Sequence, residues 1–320
     1  MKAYPSIVFY GTPEFAAGIL DYMLSQGIPV TGVVTAPDKP AGRGRKPQPS
    51  SVKEYVLNKG IPIAQPEKLK DPTFLEQLDT WKPELQVVVA FRMLPEVVWS
   101  YPRLGTFNLH ASLLPQYRGA APIQWVLING EKETGVSTFF LNHEIDAGKI
   151  ILQEKVPILP EDNAGILTDK LMKAGARLTV TTIEKIIHGQ VELIEQKVPD
   201  PALLKKAPKI KKEDLLIDWN DTPRSICNRV RAFSPHPGAR ARIQALNGQI
   251  LILKIFSAIA KVEKHNLPVR RFVTNGKTFL DIAVKEGFVS LKEVQLEGRK
   301  RMNIRDFLMG FQAEDYKLLT

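Results

Sequence analysis

The sequence predicts an α/β chain, with a doubly wound, mostly parallel sheet of Rossmann-like type followed by a small OB-like β-barrel. Three observations carry this. As far as residue 189, short apolar runs alternate with stretches of helical periodicity, the pattern of βαβ units. A stretch without periodicity then carries Pro199, Pro201 and Pro208. Beyond it, strand-like runs are separated by turn signals at Asn247-Gly248, Asn275-Gly276 and Glu286-Gly287, as in a small antiparallel barrel. The expected division is a catalytic α/β domain over 1–189, a linker over 190–208 and a basic barrel domain over 209–320.

Ser6 to Tyr10 is an apolar strand, after which Thr12 offers an N-cap hydroxyl and Pro13 a first helical residue. The helix should run to about Ser25, and Val30 to Thr35 returns as a strand. No Gly-x-Gly-x-x-Gly fingerprint accompanies this unit, which argues against dinucleotide binding there. Residues 36–49, rich in Pro, Gly and cations, are expected to be neither helix nor strand. A loop of this length is either functional or simply solvated, and Arg43, Arg45 and Lys46 make phosphate contact the functional reading. Ser51 to Glu54 matches a capping box, opening a helix that should end at Gly60.

Strands are expected over 61–64, 85–91, 103–110, 134–141 and 149–157. A helix starts at Asp71-Pro72, another fills 120–129, and a long amphipathic one is capped by Asp162 or Asn163. In the second domain 222–233 should be helical, 240–245, 249–260, 278–284 and 288–295 strands, and 303–310 a short helix.

Hydrophobic residues are 44% and charged residues 24% of the 320, close to globular averages, and no apolar run approaches the ~20 residues needed to span a bilayer, so neither a disordered nor a membrane-spanning chain is indicated. The N-terminus lacks a signal-peptide pattern, so the cytoplasm is the expected location. Cys227 is the single cysteine, leaving no internal disulfide or cysteine-based metal cluster. Residues 1–204 carry a net charge of −1 and residues 205–320 one of +11. A basic second domain suits either a polyanionic partner or a solvated surface.

The chemistry concentrates in Phe107 to Gln124. On a strand, Asn108 and His110 share one face while Phe107 and Leu109 take the other. Pro115 and Gly119 shape the loop that follows, so the polar pair lies near a strand's carboxyl end, where open α/β sheets bind ligands. A second acidic loop ends in Asp146-Ala147-Gly148. Ser112 lacks the Gly-x-Ser-x-Gly elbow of a serine hydrolase, and His143 gives no ligand spacing with His110, so no metal is expected. What remains is acid–base and oxyanion chemistry on a carbonyl substrate, with an amide and an imidazole as donors and a carboxylate to hold the imidazole.

The run Asn108-Leu109-His110-Ala111-Ser112-Leu113-Leu114-Pro115, continued by Tyr117-Arg118-Gly119-Ala120-Ala121-Pro122-Ile123-Gln124, resembles the signature of the folate-dependent formyltransferases. Phe9 to Phe15 resembles that family's first strand and turn, and Pro37 to Arg45 the basic insertion loop of its tRNA-acting branch. The resemblance implies that 10-formyltetrahydrofolate gives its formyl group to the α-amino group of methionyl initiator tRNA. It implies Asn108, His110 and Asp146 as catalytic residues, Ser112, Leu113, Leu114 and Pro115 as the folate-binding segment, and Arg43, Arg45 and Lys46 as tRNA contacts. Arg118 is expected either to touch substrate or to brace the loop. Two positions depart from the family pattern, Arg92 where Gly is common and Ala147 where Thr is common, and both border the expected folate pocket. The alternative acceptor is a different amine, such as glycinamide ribonucleotide or an amino sugar nucleotide. A nucleic-acid-binding module on a dead scaffold is disfavoured by the intact Asn108, His110 and Asp146. A monomer is expected, with no membrane partner.

Overall fold

Ile7, Val8, Phe9 and Tyr10 are all fully buried, as an apolar strand covered on both faces must be. They form β1 (Ile7–Gly11) in the computed structural model, which describes residues 4–41, 46–198 and 200–319. The chain continues through α1 (Glu14–Ser25), β2 (Gly32–Val34), β3 (Lys39–Ala41), β4 (Lys46–Gln48), α2 (Ser51–Val56), β5 (Ile63–Ala64), α3 (Pro72–Trp81) and β6 (Leu85–Val89). Then come α4 (Glu96–Trp99), β7 (Thr106–His110), α5 (Pro122–Ile128), β8 (Glu133–Phe140), β9 (Ile150–Pro157) and α6 (Ala164–Ile187). Two compact units result. The first takes the chain up to Gly119 with Glu133–Pro157 and Thr168–Lys206, and the second takes Ala120–Lys132, Ile158–Leu167 and the remainder from Ala207.

The first unit is built on a sheet of order β5-β2-β1-β6-β7-β8-β9. Its first five strands pair in parallel, and β7–β8 and β8–β9 are antiparallel. Strand order reverses between β1 and β6, which brings the carboxyl ends of β1, β6 and β7 to one edge. Val8, Tyr10, Val34, Val88, Leu78 and Val98 form a buried cluster on one face of this sheet.

Local details differ from the expectations. Residues 39–41 and 46–48 are not structureless: β3 and β4 form a two-stranded antiparallel ladder with Pro40 opposite Pro47. Two prolines can face each other only at a non-hydrogen-bonded pair, where neither missing N–H is needed, so the ladder survives what reads as a strand breaker. Thr12 does not cap α1; Pro13 is the extended N-cap residue and its carbonyl accepts the amides of Ala16 and Ala17. Ser50, not Ser51, caps α2 by accepting the Lys53 amide at 3.1 Å, and that helix stops at Val56 rather than near Gly60.

The second unit is an antiparallel, barrel-like sheet packed on a helix. It comprises α7 (Pro223–Ala232), β10 (Ala239–Ala245), β11 (Ile250–Val262), β12 (Phe272–Thr274), β13 (Leu280–Val284), β14 (Gly287–Leu296), β15 (Met302–Asn303), α8 (Ile304–Leu308) and β16 (Tyr316–Leu318), with order β12-β13-β14-β11-β10-β16. Trp219, Ile226, Val230 and Phe233 pack with Leu253, Ile255 and Leu291 in its core. Thr222 caps α7 ahead of Pro223, accepting the Ser225 amide at 3.2 Å. Lys205, Lys206, Lys209, Lys211 and Lys212 are all exposed on the segment that passes from one unit to the next.

Candidate active site

Alternation along β7 decides which side chains reach the site. Phe107 and Leu109 are buried on one face, and Leu109 lies over Gly175 of α6, where a Cβ would come within 2.7 Å of Leu109 Cδ2. A larger residue at 175 would push the end of the Leu109 side chain aside. The same alternation delivers Asn108 and His110 to the other face, near the carboxyl end of the strand.

His110 is 7% exposed, and its Nε2 lies 2.9 Å from the carbonyl oxygen of Tyr117. A carbonyl only accepts, so Nε2 carries the hydrogen and Nδ1 is the nitrogen turned to Asp146. The distance from Nδ1 to Asp146 Oδ2 is 4.0 Å, and that same oxygen accepts the Gly119 amide at 3.0 Å. Asp146 adopts a left-handed backbone, φ +53°, which places its carboxylate back over the loop that follows β7. Asn108 is half-buried, and its Oδ1 is fully buried without a partner among the described residues. An unmade buried hydrogen bond costs about 1–3 kcal/mol, and this one lies at the strand end that also bears His110.

Residues 112–115 are fixed from β8 and β9. Ser137 Oγ donates to the Ser112 carbonyl at 2.6 Å and accepts the Leu114 amide at 3.1 Å. Gln153 Nε2 donates to the Leu114 carbonyl at 3.0 Å and to Ser137 Oγ at 2.8 Å, and Ser112 Oγ donates to the Gln116 carbonyl at 2.7 Å. These backbone groups are engaged within the protein. Leu113 and Pro115 are the half-exposed members of the segment.

Arg118 braces the loop. Its Nε and Nη2 donate to Gln196 Oε1 at 3.0 and 2.6 Å. Arg92 turns its guanidinium to the carbonyls of Glu67, at 2.7 Å, and Pro66. Among the expected tRNA contacts, Arg43 and Arg45 lie outside the described residues, while Lys46 opens β4. The base of that hairpin is tied down by Asp38, which accepts Gln65 Nε2 and Lys53 Nζ, both at 2.7 Å. The Gln65 and Lys53 hydrogen bonds hold the Asp38 carboxyl below the usual carboxylate range.

Burial pushes the Cys227 thiol up to about 12, far from a nucleophilic thiolate. No trio of metal-ligating side chains occurs among the described residues, and His143 instead faces Glu96 at 3.6 Å and the Trp99 ring. Ser137, Gln153 and Gln196 are the residues that sequence reasoning missed. Their only signal was a polar side chain on an apolar strand for the first two, and none for Gln196.

Residues 5–183 match the family model described as formyl transferase, and residues 209–312 match the model of its C-terminal domain. The chain belongs to the formyl transferase family. The methionyl-tRNA formyltransferase of Bacteroides thetaiotaomicron is 50% identical over 316 residues, 98% of each chain. That of Parabacteroides distasonis is 52% identical over 309 residues, covering 96% of this chain and 95% of its own. Among solved structures, the N-formyltransferase of Helicobacter canadensis with folinic acid and dTDP-3-aminofucose aligns with a TM-score of 0.66 at 21% identity, over 91% of this chain and all of its own. At that identity the likeness concerns the fold. Asn108, His110 and Asp146 lie within the first family match, whereas Gln196 lies between the two.

Proposed function

We propose that the chain transfers the formyl group of 10-formyltetrahydrofolate to the α-amino group of methionyl initiator tRNA. The observation that carries this is the constellation at the end of β7. One amide, Asn108, and one imidazole, His110, share a face, and the imidazole is held between the Tyr117 carbonyl and Asp146. The two relatives compared above, at 50% and 52% identity over nearly the whole chain, bear the matching name.

The chemistry suits this donor set. A free α-amino group has a pKa of about 7.7–8.0, and the ester of an aminoacyl-tRNA lowers it further, so much of the amine is nucleophilic at neutral pH. No strong base is required. The amine nitrogen attacks the formyl carbon, and the carbonyl oxygen becomes an oxyanion. Asn108 Nδ2 donates to that oxygen, and His110 joins by moving its Nε2 hydrogen from the Tyr117 carbonyl to the charged acceptor, a stronger partner. As the tetrahedral centre collapses, the bond from the formyl carbon to N10 breaks. The proton lost by the amine passes through the His110–Asp146 pair to N10. Leu113 and Pro115 would take the pterin side of the folate, with Ser137 and Gln153 holding their segment.

Residues 1–189 carry the chemistry, and residues 209–320, with the exposed lysines of 205–212 and the cations at 43, 45 and 46, carry the tRNA. Phosphate contacts of this kind position a nucleic acid without reading its sequence.

The test is radiolabelled formyl transfer from 10-formyltetrahydrofolate, with methionyl initiator tRNA, glycinamide ribonucleotide and an amino sugar nucleotide as competing acceptors. Transfer to the aminoacyl-tRNA alone is expected. Transfer to either small amine in preference would reassign the acceptor.

A further inference from the structure

The Gln196 side chain is tied to both segments flanking the His110 imidazole. Its Oε1 accepts Arg118 Nε and Nη2, and its Nε2 donates to the carbonyls of Asp146 at 3.0 Å and Gly148 at 2.7 Å. All of its hydrogen-bonding groups point one way. A flipped amide would set NH2 against a guanidinium and oxygen against two carbonyls, so the orientation is dictated by its partners.

The positions of those partners give the amide its meaning. His110 touches Tyr117 on one side and faces Asp146 on the other. Arg118 directly follows Tyr117 in the chain, so holding its guanidinium braces the segment whose carbonyl receives the His110 Nε2 hydrogen. Asp146 is left-handed at φ +53°, a conformation that costs a non-glycine residue free energy and persists only where surroundings impose it. Gln196 supplies part of that imposition through the Asp146 carbonyl. Gly148 completes it: a Cβ there would come 1.7 Å from the Phe140 carbonyl oxygen, so the loop has no room to slide. The segment bearing Gln196 is itself held, since Ile194 exchanges backbone hydrogen bonds with Ile150 at 2.8 and 2.9 Å.

We infer that Gln196 is a positioning residue for the reaction: one amide sets the distance between the His110 imidazole and the Asp146 carboxylate by clamping the loop after β7 to the loop after β8. The inference rests on the formyl-transfer reading of the site. It adds a residue of the segment between the two family matches to the catalytic machinery.

Gln196→Glu separates this role from simple pairing with Arg118. The carboxylate keeps a partner for the guanidinium but faces the Asp146 and Gly148 carbonyls with oxygen, which cannot donate. Gln196→Leu removes both sides of the clamp at similar volume. Displacing a catalytic group by about 1 Å can cost around 10²-fold in rate. A fall in kcat of that order is therefore expected for both variants, with KM for methionyl-tRNA within about twofold of the parent, as a positioning defect predicts. The imidazole 15N shifts of His110, read by NMR on the isotopically labelled protein without substrate, should move in Gln196→Glu while the backbone spectrum away from the site stays fixed. Wild-type kcat and unmoved His110 shifts in Gln196→Glu would overturn the inference even if Gln196→Leu failed to fold. A wild-type protein inactive toward methionyl-tRNA would instead sink the functional reading, and the NMR comparison would still judge the clamp.

Discussion

The Nε2 atom of His110 sits 2.9 Å from the carbonyl oxygen of Tyr117, and this contact decides which ring nitrogen faces Asp146. The ring should therefore show the Nε2–H tautomer when neutral. Asp146→Asn keeps an oxygen for the Gly119 amide but removes the charge opposite Nδ1. General acid–base assistance contributes about 10²–10⁴-fold, so a kcat loss in that range is expected, measured under saturating tRNA, with little change in KM.

Asn108→Ala removes the amide donor at the strand end. Loss of one oxyanion donor typically costs about 10²–10³ in kcat. Because the Oδ1 atom of Asn108 is buried without a partner among the described residues, the fold should tolerate the change well. Near-normal turnover in this variant, assayed beside its melting curve, would remove Asn108 from the mechanism.

Ser137→Ala strips one buried oxygen from three partners: the Ser112 carbonyl, the Leu114 amide and the Gln153 side chain. Leaving such buried groups unpaired costs about 1–3 kcal/mol, readable in denaturant titration. The folate KM should rise as residues 112–115 loosen, while the tRNA KM stays put. Equal changes in both constants would mean that Ser137 acts through global stability alone.

Asp38 gives a pH signature. Its pKa is lowered in the folded protein, chiefly by Gln65 and then Lys53, so its stabilising contribution is present above the ordinary carboxylate value near 4. The contribution is lost as pH falls through the lower folded value. Asp38→Asn should thus be less stable than the parent at neutral pH, with the two converging below about pH 4. A difference independent of pH would place the effect elsewhere.

Replacing Arg43, Arg45 and Lys46 together with Gln should raise the KM for tRNA. Each lost phosphate contact should flatten the dependence of log affinity on log salt by about 0.7–0.9. An unchanged slope, measured by filter binding across a salt series, would return the hairpin to an ordinary solvated surface.

Much of the fold was legible because burial on a parallel sheet demands apolar runs, and β1 and β6 have them in plain view. The hairpin of β3 and β4 was not, since its two prolines disguise a ladder that needs neither N–H. The start of α2 moved by one residue for a simpler reason: Ser50 and Ser51 offer the same hydroxyl, and only chain direction decides which one meets the Lys53 amide. At the site, Asn108 and His110 could be paired from their spacing. Gln196 could not be found that way, because it lies 78 residues from Arg118 and outside any periodic element.

The sequence by itself determined the order of elements, the face that Asn108 and His110 share and the basic bias of the second half, because alternation and charge are local properties of the chain. Tertiary structure alone decided that His110 donates to Tyr117, that Asp146 turns left-handed to face it and that Gln196 clamps both neighbours. Those relationships join loops far apart in sequence, and hydrogen-bond distances of about 3 Å are settled only when the sheet has brought them together.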